Sequence, residues 1–261
     1  MRPTRLEENL TTQPHNGVSA HSPRRFVIMG LPRSGTTYLM TLLNAHPRVF
    51  CSGEQFNPHA IVGIGEKNTD RDALRQRDGA PVAFMDAFFA RHARDDLDWI
   101  GFKFMIGHNI AVLRRLEQDE NVTLIHVHRE NRLAQVSSLI KAAETKRWAQ
   151  IKPDEHIERK VRAGPYQISQ RWHEYETFDH LFAQWFAARA HRKLALEYRE
   201  MFRPGFAERL CGFLGVAPDP QMRSPLVKQG SNTILERFEN RGRIERYFRS
   251  IGRDDWLEDE L

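Results

Sequence analysis

The segment Gly30-Leu31-Pro32-Arg33-Ser34-Gly35-Thr36-Thr37 carries the densest set of groups in this chain able to hold an anion. It follows the apolar run Phe26-Val27-Ile28-Met29 and precedes a helical pattern with Leu39, Leu42 and Leu43 on one side. A loop between a buried strand and a helix start aims several backbone N–H groups at one point, where the helix dipole also favours negative charge. Gly35 permits close backbone approach, Ser34, Thr36 and Thr37 add hydroxyl donors, and Arg33 adds a cation. Ser and Thr are also ordinary helix caps, so a capped turn is the plainer alternative. Pro-Arg-Ser-Gly-Thr-Thr placed directly after a buried strand favours the phosphate cradle. The loop is not of the GxxxxGK[ST] type, since no Lys precedes the Thr pair. The run Val122 to Val127 leads into His128-Arg129, where an acid for Mg²⁺ would be expected. ATP hydrolysis is therefore a poor fit, and the loop reads as an anion site that works without metal.

Other residues could do chemistry beside it. Glu54 follows Val49-Phe50-Cys51, a segment expected beside the phosphate-loop strand, which would open Glu54 onto the same cleft. On residue type alone it is a general base or a surface or helix-capping acid. His108, after Phe102-Lys103-Phe104, is its rival. Lys103 lies in an otherwise apolar strand, where a buried, unpaired ammonium is costly. It either reaches the cleft or snorkels to the surface. His126 and His128 alternate on one strand face, but two ligands without a third favour strand-end packing over a metal. Lys141, Lys146, Arg147 and Trp148 are expected at the end of one helix. The indole would either stack on a sugar ring among cations that attract an acidic acceptor, or pack at a solvated helix end.

The elements that must position these groups follow from periodicity. Strands are expected at Arg25–Gly30, Trp99–Met105, Val122–Val127 and Lys193–Leu196, with a short one at Arg48–Cys51. Helical patterns run Pro81–Arg91, Leu133–Trp148 and Phe206–Leu214, the last ended by Gly215. A longer one carries Trp172, Tyr175, Phe178, Phe182, Trp185 and Phe186, an aromatic stripe whose spacing suits core packing. Strands alternating with helices predict an α/β fold, a parallel sheet covered on both faces. The polar stretches Pro58–Gly79 and Gln150–Ser169 read as insertions or lids within one domain, and Met1 to Arg25 as a loose, flexible tail.

Bulk composition agrees. Hydrophobic residues form 40% and charged residues 28% of 261 positions, an ordinary globular balance. The tail has no apolar core for a signal peptide, and no run approaches the ~20 residues that span a bilayer, so a cytoplasmic protein without an integral membrane segment is expected. Cys51 and Cys211 lie far apart, which implies neither a disulfide framework nor a cysteine zinc site. A net charge of +5 and a pI near 9.4 permit an anionic ligand. Basic residues are scattered among acids, so a nucleic-acid surface is not expected.

Phe26 to Thr37 resembles the 5′-phosphosulfate loop of the sulfotransferases that use 3′-phosphoadenosine-5′-phosphosulfate (PAPS), in a variant with Arg33 where cytosolic steroid and phenol enzymes usually have Lys. The family's second hallmark is an Arg ending a strand and a Ser eight residues on, which Arg129 and Ser137 match. Asn44-Ala45-His46-Pro47 and Ser52-Gly53-Glu54-Gln55-Phe56-Asn57 are similar to bacterial carbohydrate sulfotransferases. Those acting on lipo-chitooligosaccharide nodulation signals and other lipooligosaccharides resemble it most, and trehalose sulfotransferases more distantly. Ala142 to Trp148, Leu196-Glu197-Tyr198 and Lys228-Gln229 fit the same branch, and the similarity runs from about Phe26 to Phe248. The late glycine-rich loop of the cytosolic enzymes is reduced here to Lys228-Gln229-Gly230.

The resemblance implies a P-loop-like sulfotransferase fold over residues 26–261. It implies PAPS as cosubstrate and PAP as product, with no metal. Arg33, Ser34, Gly35, Thr36 and Thr37 would hold the 5′-phosphate, and Arg129, Ser137 and Lys228 the 3′ side. Glu54 would be the general base, with Arg33 and Lys103 assisting transfer to a hydroxyl on a small molecule, oligosaccharide or glycolipid. The trehalose enzymes imply that a homodimer can form. The competing classes are a P-loop-type kinase or NTPase, and a non-catalytic nucleotide-binding module.

Overall fold

A computed structural model describes residues 22–149, 159–226, 228 and 230–261. Most of the expected N-terminal tail and the stretch 150–158 of the second polar insertion lie outside the described residues, as does Gln229.

The apolar run before the loop forms β1 (Arg24–Gly30), whose last five residues are buried. Around it lie β2 (Val49–Glu54), β5 (Trp99–Met105), β6 (Val122–His128) and β7 (Lys193–Glu197), in a parallel sheet of order β2-β5-β1-β6-β7. With β5 on one side of β1 and β6 on the other, the chain leaves the middle of the sheet in both directions. In open α/β sheets the ligand crevice lies at the carboxyl ends of strands at such a switch point. Gly30 sits there, level with Met105 and Val127.

Both faces of the sheet are covered, as the uninterrupted apolar strands require. Phe26 and Ile28 pack with Leu39 and Leu43 of α1 (Thr36–Asn44) and Leu210 of α7 (Phe206–Leu214). Val27 and Met29 face the opposite way, onto Phe88 of α3 (Pro81–His92), Val112 of α4 (Ile110–Gln118) and Phe182 of α6 (Pro165–Ala187). A further cluster joins α5 (Arg132–Thr145), α6 and α8 (Arg241–Ser250) through Val136, Trp172, Phe248 and Trp256. Asn131 starts α5 by accepting the Ala134 N–H at 2.8 Å, and Gly215, at φ 69, ends α7.

Two sequence expectations are corrected. The Val49-Phe50-Cys51 strand lies beside β5, not beside β1, because the fully buried β5 fills the position next to the centre. The helix expected to reach Trp148 stops at Thr145, where Lys146 turns left-handed at φ 57. The polar Pro58–Gly79 stretch folds into a small antiparallel pair, β3 (Ile61–Val62) and β4 (Lys67–Asn68), followed by α2 (Arg71–Gly79), which Asp70 caps. Helices α4 and α8 were not expected. Among the described residues no helix is long and apolar enough to cross a membrane.

Candidate active site

The loop from Gly30 to α1 is shaped by contacts that leave little room. A Cβ on Gly30 would stand 2.5 Å from the Val127 carbonyl of β6 and 2.8 Å from Ser34 Oγ. Gly35 takes φ +102, and a Cβ there would meet Met201 Cε at 2.5 Å and the Tyr198 ring at 2.8 Å. Arg33 adopts φ 66, a left-handed conformation that a non-glycine residue holds at a cost. Its side chain is fixed from two sides. Nε donates to Ser138 Oγ at 2.9 Å and Nη1 to the Trp148 carbonyl at 2.5 Å. Burial and then the neighbouring Arg129 lower its pKa to about 10, so it remains a cation at neutral pH.

Two features of the loop fit an anion. Ser34 Oγ is fully buried and has no hydrogen-bond partner, an orphan of the kind a ligand oxygen would satisfy. The start of α1 has no side-chain cap, so its first N–H groups are not covered by one.

Glu54, at the end of β2, reaches the loop through β5. Lys103 Nζ donates to Thr37 Oγ1 at 2.8 Å and to Glu54 Oε1 at 3.2 Å. The lysine is thus buried but paired, and it does not snorkel. Asn57 Nδ2 donates to Glu54 Oε2 at 2.8 Å, and His108 Nε2 lies 3.9 Å from the same oxygen. Burial works to raise the Glu54 pKa. Lys103, the Asn57 hydrogen bond and His108 outweigh it, so the carboxyl stays below its ordinary range. His108 Nδ1 accepts the Met105 N–H at 3.2 Å, which puts the ring proton on Nε2, facing Glu54. Burial lowers the His108 pKa to about 4 despite Glu54, leaving the ring neutral at pH 7.

Across the loop lies a second set. Arg129 follows β6, stacks 4.2 Å over the Tyr198 ring and donates from Nη1 to the Arg33 carbonyl at 2.8 Å. Ser137 is buried on α5, where its hydroxyl donates to the Ala134 carbonyl at 2.9 Å. Lys228 Nζ donates to Asn232 Oδ1 at 2.7 Å. Sequence reasoning missed two members of this set, Arg237 and Glu260; the Glu260 carboxylate pairs with Arg129, Lys228 and Arg237 in the same pocket. A cleft of about 620 Å³ joins both sets, lined by Arg33, Gly35, Thr37, Arg129, Ser137 and Lys228 among others. Glu54 and Lys103 stand behind Thr37 rather than in the cleft wall. Trp148, half exposed, lines the cleft beside Lys141.

The two strand histidines serve packing and a buried polar chain. His126 Nε2 lies 3.2 Å from Asp179 Oδ1 and its ring packs on Phe182. Asp179 also pairs with Arg132, whose Nη1 donates to Gln135 Oε1 at 2.9 Å. Gln135 in turn donates to the Pro32 carbonyl at 3.0 Å, tying α5 and α6 to the Gly30–Thr37 loop. Among the described residues no group of three or more His, Cys, Asp and Glu side chains is placed to hold a metal.

Residues 24–106, which span β1 to β5 and so include the loop, Glu54 and Lys103, match the model of the sulfotransferase family. Nodulation protein H of Rhizobium tropici is 26% identical over 245 residues, covering 88% of this chain and 91% of that protein. Nodulation protein H of Rhizobium meliloti (strain 1021) is 27% identical over 135 residues, 51% of this chain and 53% of that one. Among solved structures, the sulfotransferase domain from the curacin biosynthetic pathway aligns over 78% of this chain and 77% of its own, at 16% identity and a TM-score of 0.48. With a loop at the switch point of its parallel sheet that matches the sulfotransferase family model, and an alignment to Nodulation protein H along most of its length, the chain is similar to the sulfotransferase family.

Proposed function

We propose that the chain moves sulfonate from PAPS to an acceptor hydroxyl on a carbohydrate or glycolipid, by in-line displacement with Glu54 as general base. The observation that carries this reading is that two separate anion-holding sets open onto one cleft. One is the Arg33–Thr37 loop. The other is Arg129, Ser137 and Lys228. A ligand with phosphates at two positions on one nucleoside suits that arrangement, whereas a linear di- or triphosphate would use only the first. The resemblance to carbohydrate sulfotransferases supports the acceptor class.

PAPS supplies the sulfonate and departs as PAP. The residues then divide the work. Arg33, the hydroxyls of Ser34, Thr36 and Thr37, and the N–H groups at the start of α1 receive the charge that builds on the 5′-phosphate oxygen as its bond to sulfur breaks. Such preorganised donors act where charge develops and need no reorganisation. Lys103, hydrogen-bonded to both Thr37 and Glu54, holds the loop and the base in register. Glu54 takes the proton that the acceptor hydroxyl gives up as its oxygen bonds to sulfur. A sugar hydroxyl is a weak nucleophile at neutral pH, which is why a base is wanted.

Thermal-shift measurements with PAP and ADP, without added metal, test this. A ligand bound to the native state raises its melting point. PAP should stabilise the chain far more than ADP, which lacks the 3′-phosphate. A charge-assisted contact of that kind is worth about 1.5–3 kcal/mol. Arg129→Ala should shrink the preference. Equal stabilisation of the wild type by both ligands would overturn the cosubstrate assignment.

A further inference from the structure

The second anion set already holds an anion of its own. Arg129 Nε and Nη2 both donate to Glu260 Oε1, the first at 2.7 Å. Arg237 Nη2 donates to Glu260 Oε2 at 2.6 Å, and Lys228 Nζ lies 3.3 Å from the same oxygen. Glu260 is 1% exposed. Burial works to raise its pKa, yet Arg129, Arg237 and Lys228 hold it down to about 2.

The geometry of occupation matters more than the charge. The Nε–Nη2 edge of a guanidinium is the fork that grips a carboxylate or a phosphate with two parallel bonds. On Arg129 that edge faces Glu260. Arg237 has every nitrogen engaged as well. Nε and Nη2 reach the Ser231 carbonyl, and Nη1 reaches the Ala134 carbonyl and Ser137 Oγ. A phosphate entering beside Ser137 therefore finds its donors committed. Three cations around one carboxylate also leave a formal excess of two positive charges, which a phosphate dianion would neutralise better.

The segment carrying Glu260 has few ties besides that carboxylate. Trp256 and Leu257 are buried in the cluster below, while Glu258, Asp259 and Leu261 are exposed. Beyond the carboxylate its ties are to Asn232. The Glu260 N–H donates to the Asn232 carbonyl at 3.1 Å, the Leu261 N–H donates to Asn232 Oδ1 at 2.8 Å, and Asn232 Nδ2 donates to the Leu261 carbonyl at 2.5 Å.

We propose that Glu260 is a resident competitor, whose carboxylate holds the subsite that the nucleotide's second phosphate takes, so that nucleotide binding releases residues 258–261. The proposal rests on the PAPS reading and goes beyond it. It makes the 258–261 segment a filter: ligands without a second phosphate cannot dislodge it, and those with one bind at the expense of the self-contact. Apparent affinity is then reduced by the fraction of chains in which the subsite is open.

The test uses the full chain with PAP and ADP. Hydrogen exchange at the Glu260 and Leu261 amides should speed up in the PAP complex and stay unchanged with ADP. By calorimetry, Glu260→Gln should bind PAP more tightly, on the order of tenfold, with ADP affinity unaltered. If PAP binds while these amides keep or gain protection, or if Glu260→Gln binds PAP more weakly, Glu260 instead positions Arg129 for the ligand and the proposal is overturned. If Glu260→Gln does not fold, the wild-type exchange decides alone. Should neither nucleotide bind, the PAPS reading itself fails, and the competitor role with it.

Discussion

Glu54 and His108 compete for the same role at the scale of single residues, and their hydrogen bonds separate them. The His108 Nδ1 lone pair is taken by the Met105 N–H, and its Nε2 carries the proton. A neutral imidazole so arranged has no open lone pair for an acceptor's proton. Glu54, ionised beside Lys103, has one. Glu54→Gln should therefore keep PAP affinity while turnover falls ~10²–10⁴-fold, the usual range for loss of a general base. Arg33→Ala should weaken PAP binding as well, because in the proposed reaction that cation would touch the phosphate before and during transfer. The pH profile has a defined sign. With Glu54 as base the active form would be the carboxylate, and its pKa is held below the ordinary range, so the rate should be flat through neutrality. It should decline as pH falls through the folded-state pKa of Glu54. Near-normal turnover of Glu54→Gln, or a rate still rising above neutral pH, would assign the proton transfer to another group.

Between elements, the tightest constraint is the meeting of β1, β6 and the loop at Gly30. An added Cβ would sit 2.5 Å from a backbone carbonyl of β6, which cannot yield without parting the ladder. Gly30→Ala should lower stability by about 1–3 kcal/mol, as overpacking does, and weaken PAP binding by moving Ser34. Urea unfolding and calorimetry read the two effects; unchanged stability would mean that the strands can open there without loss. The strands themselves were legible because buried parallel strands are continuous apolar runs, and α7 because Gly215 marks its end. Helices α4 and α8 escaped notice, although Val112 with Leu116 and Ile244 with Phe248 show the four-residue apolar spacing. The place of β2 in the sheet was not legible, since strand order is set by crossover connections and not by any local pattern. Nor was the pairing of Arg129 with Glu260, 131 positions apart, for which neither partner carries a local signal. For the same reason the sequence leaves two readings of Lys103 open. Its partner Glu54 sits 49 positions away on a neighbouring strand.

For the whole molecule, the question is where positive charge comes from when a nucleotide phosphate leaves. The net charge of +5 is modest, but the cleft concentrates Arg33, Arg129, Lys228 and Arg237, with Lys103 behind Thr37. Enzymes that cleave between the β- and γ-phosphates bring in Mg²⁺ to bridge those oxygens. In the proposed sulfonate transfer the leaving group is the nucleotide's 5′-phosphate, and the developing charge would lie on that single phosphate, within reach of Arg33, the loop hydroxyls and the start of α1. Arg33 remains a cation at pH 7 even with its lowered pKa. On the proposed reading, fixed side chains would supply the charge that a bound ion supplies elsewhere. Sulfonate transfer should accordingly proceed at the same rate after dialysis against EDTA, and added Mg²⁺ or Mn²⁺ should not raise it. Activity lost on chelation and restored by one divalent ion would show that these cations are insufficient and that a metal completes the site.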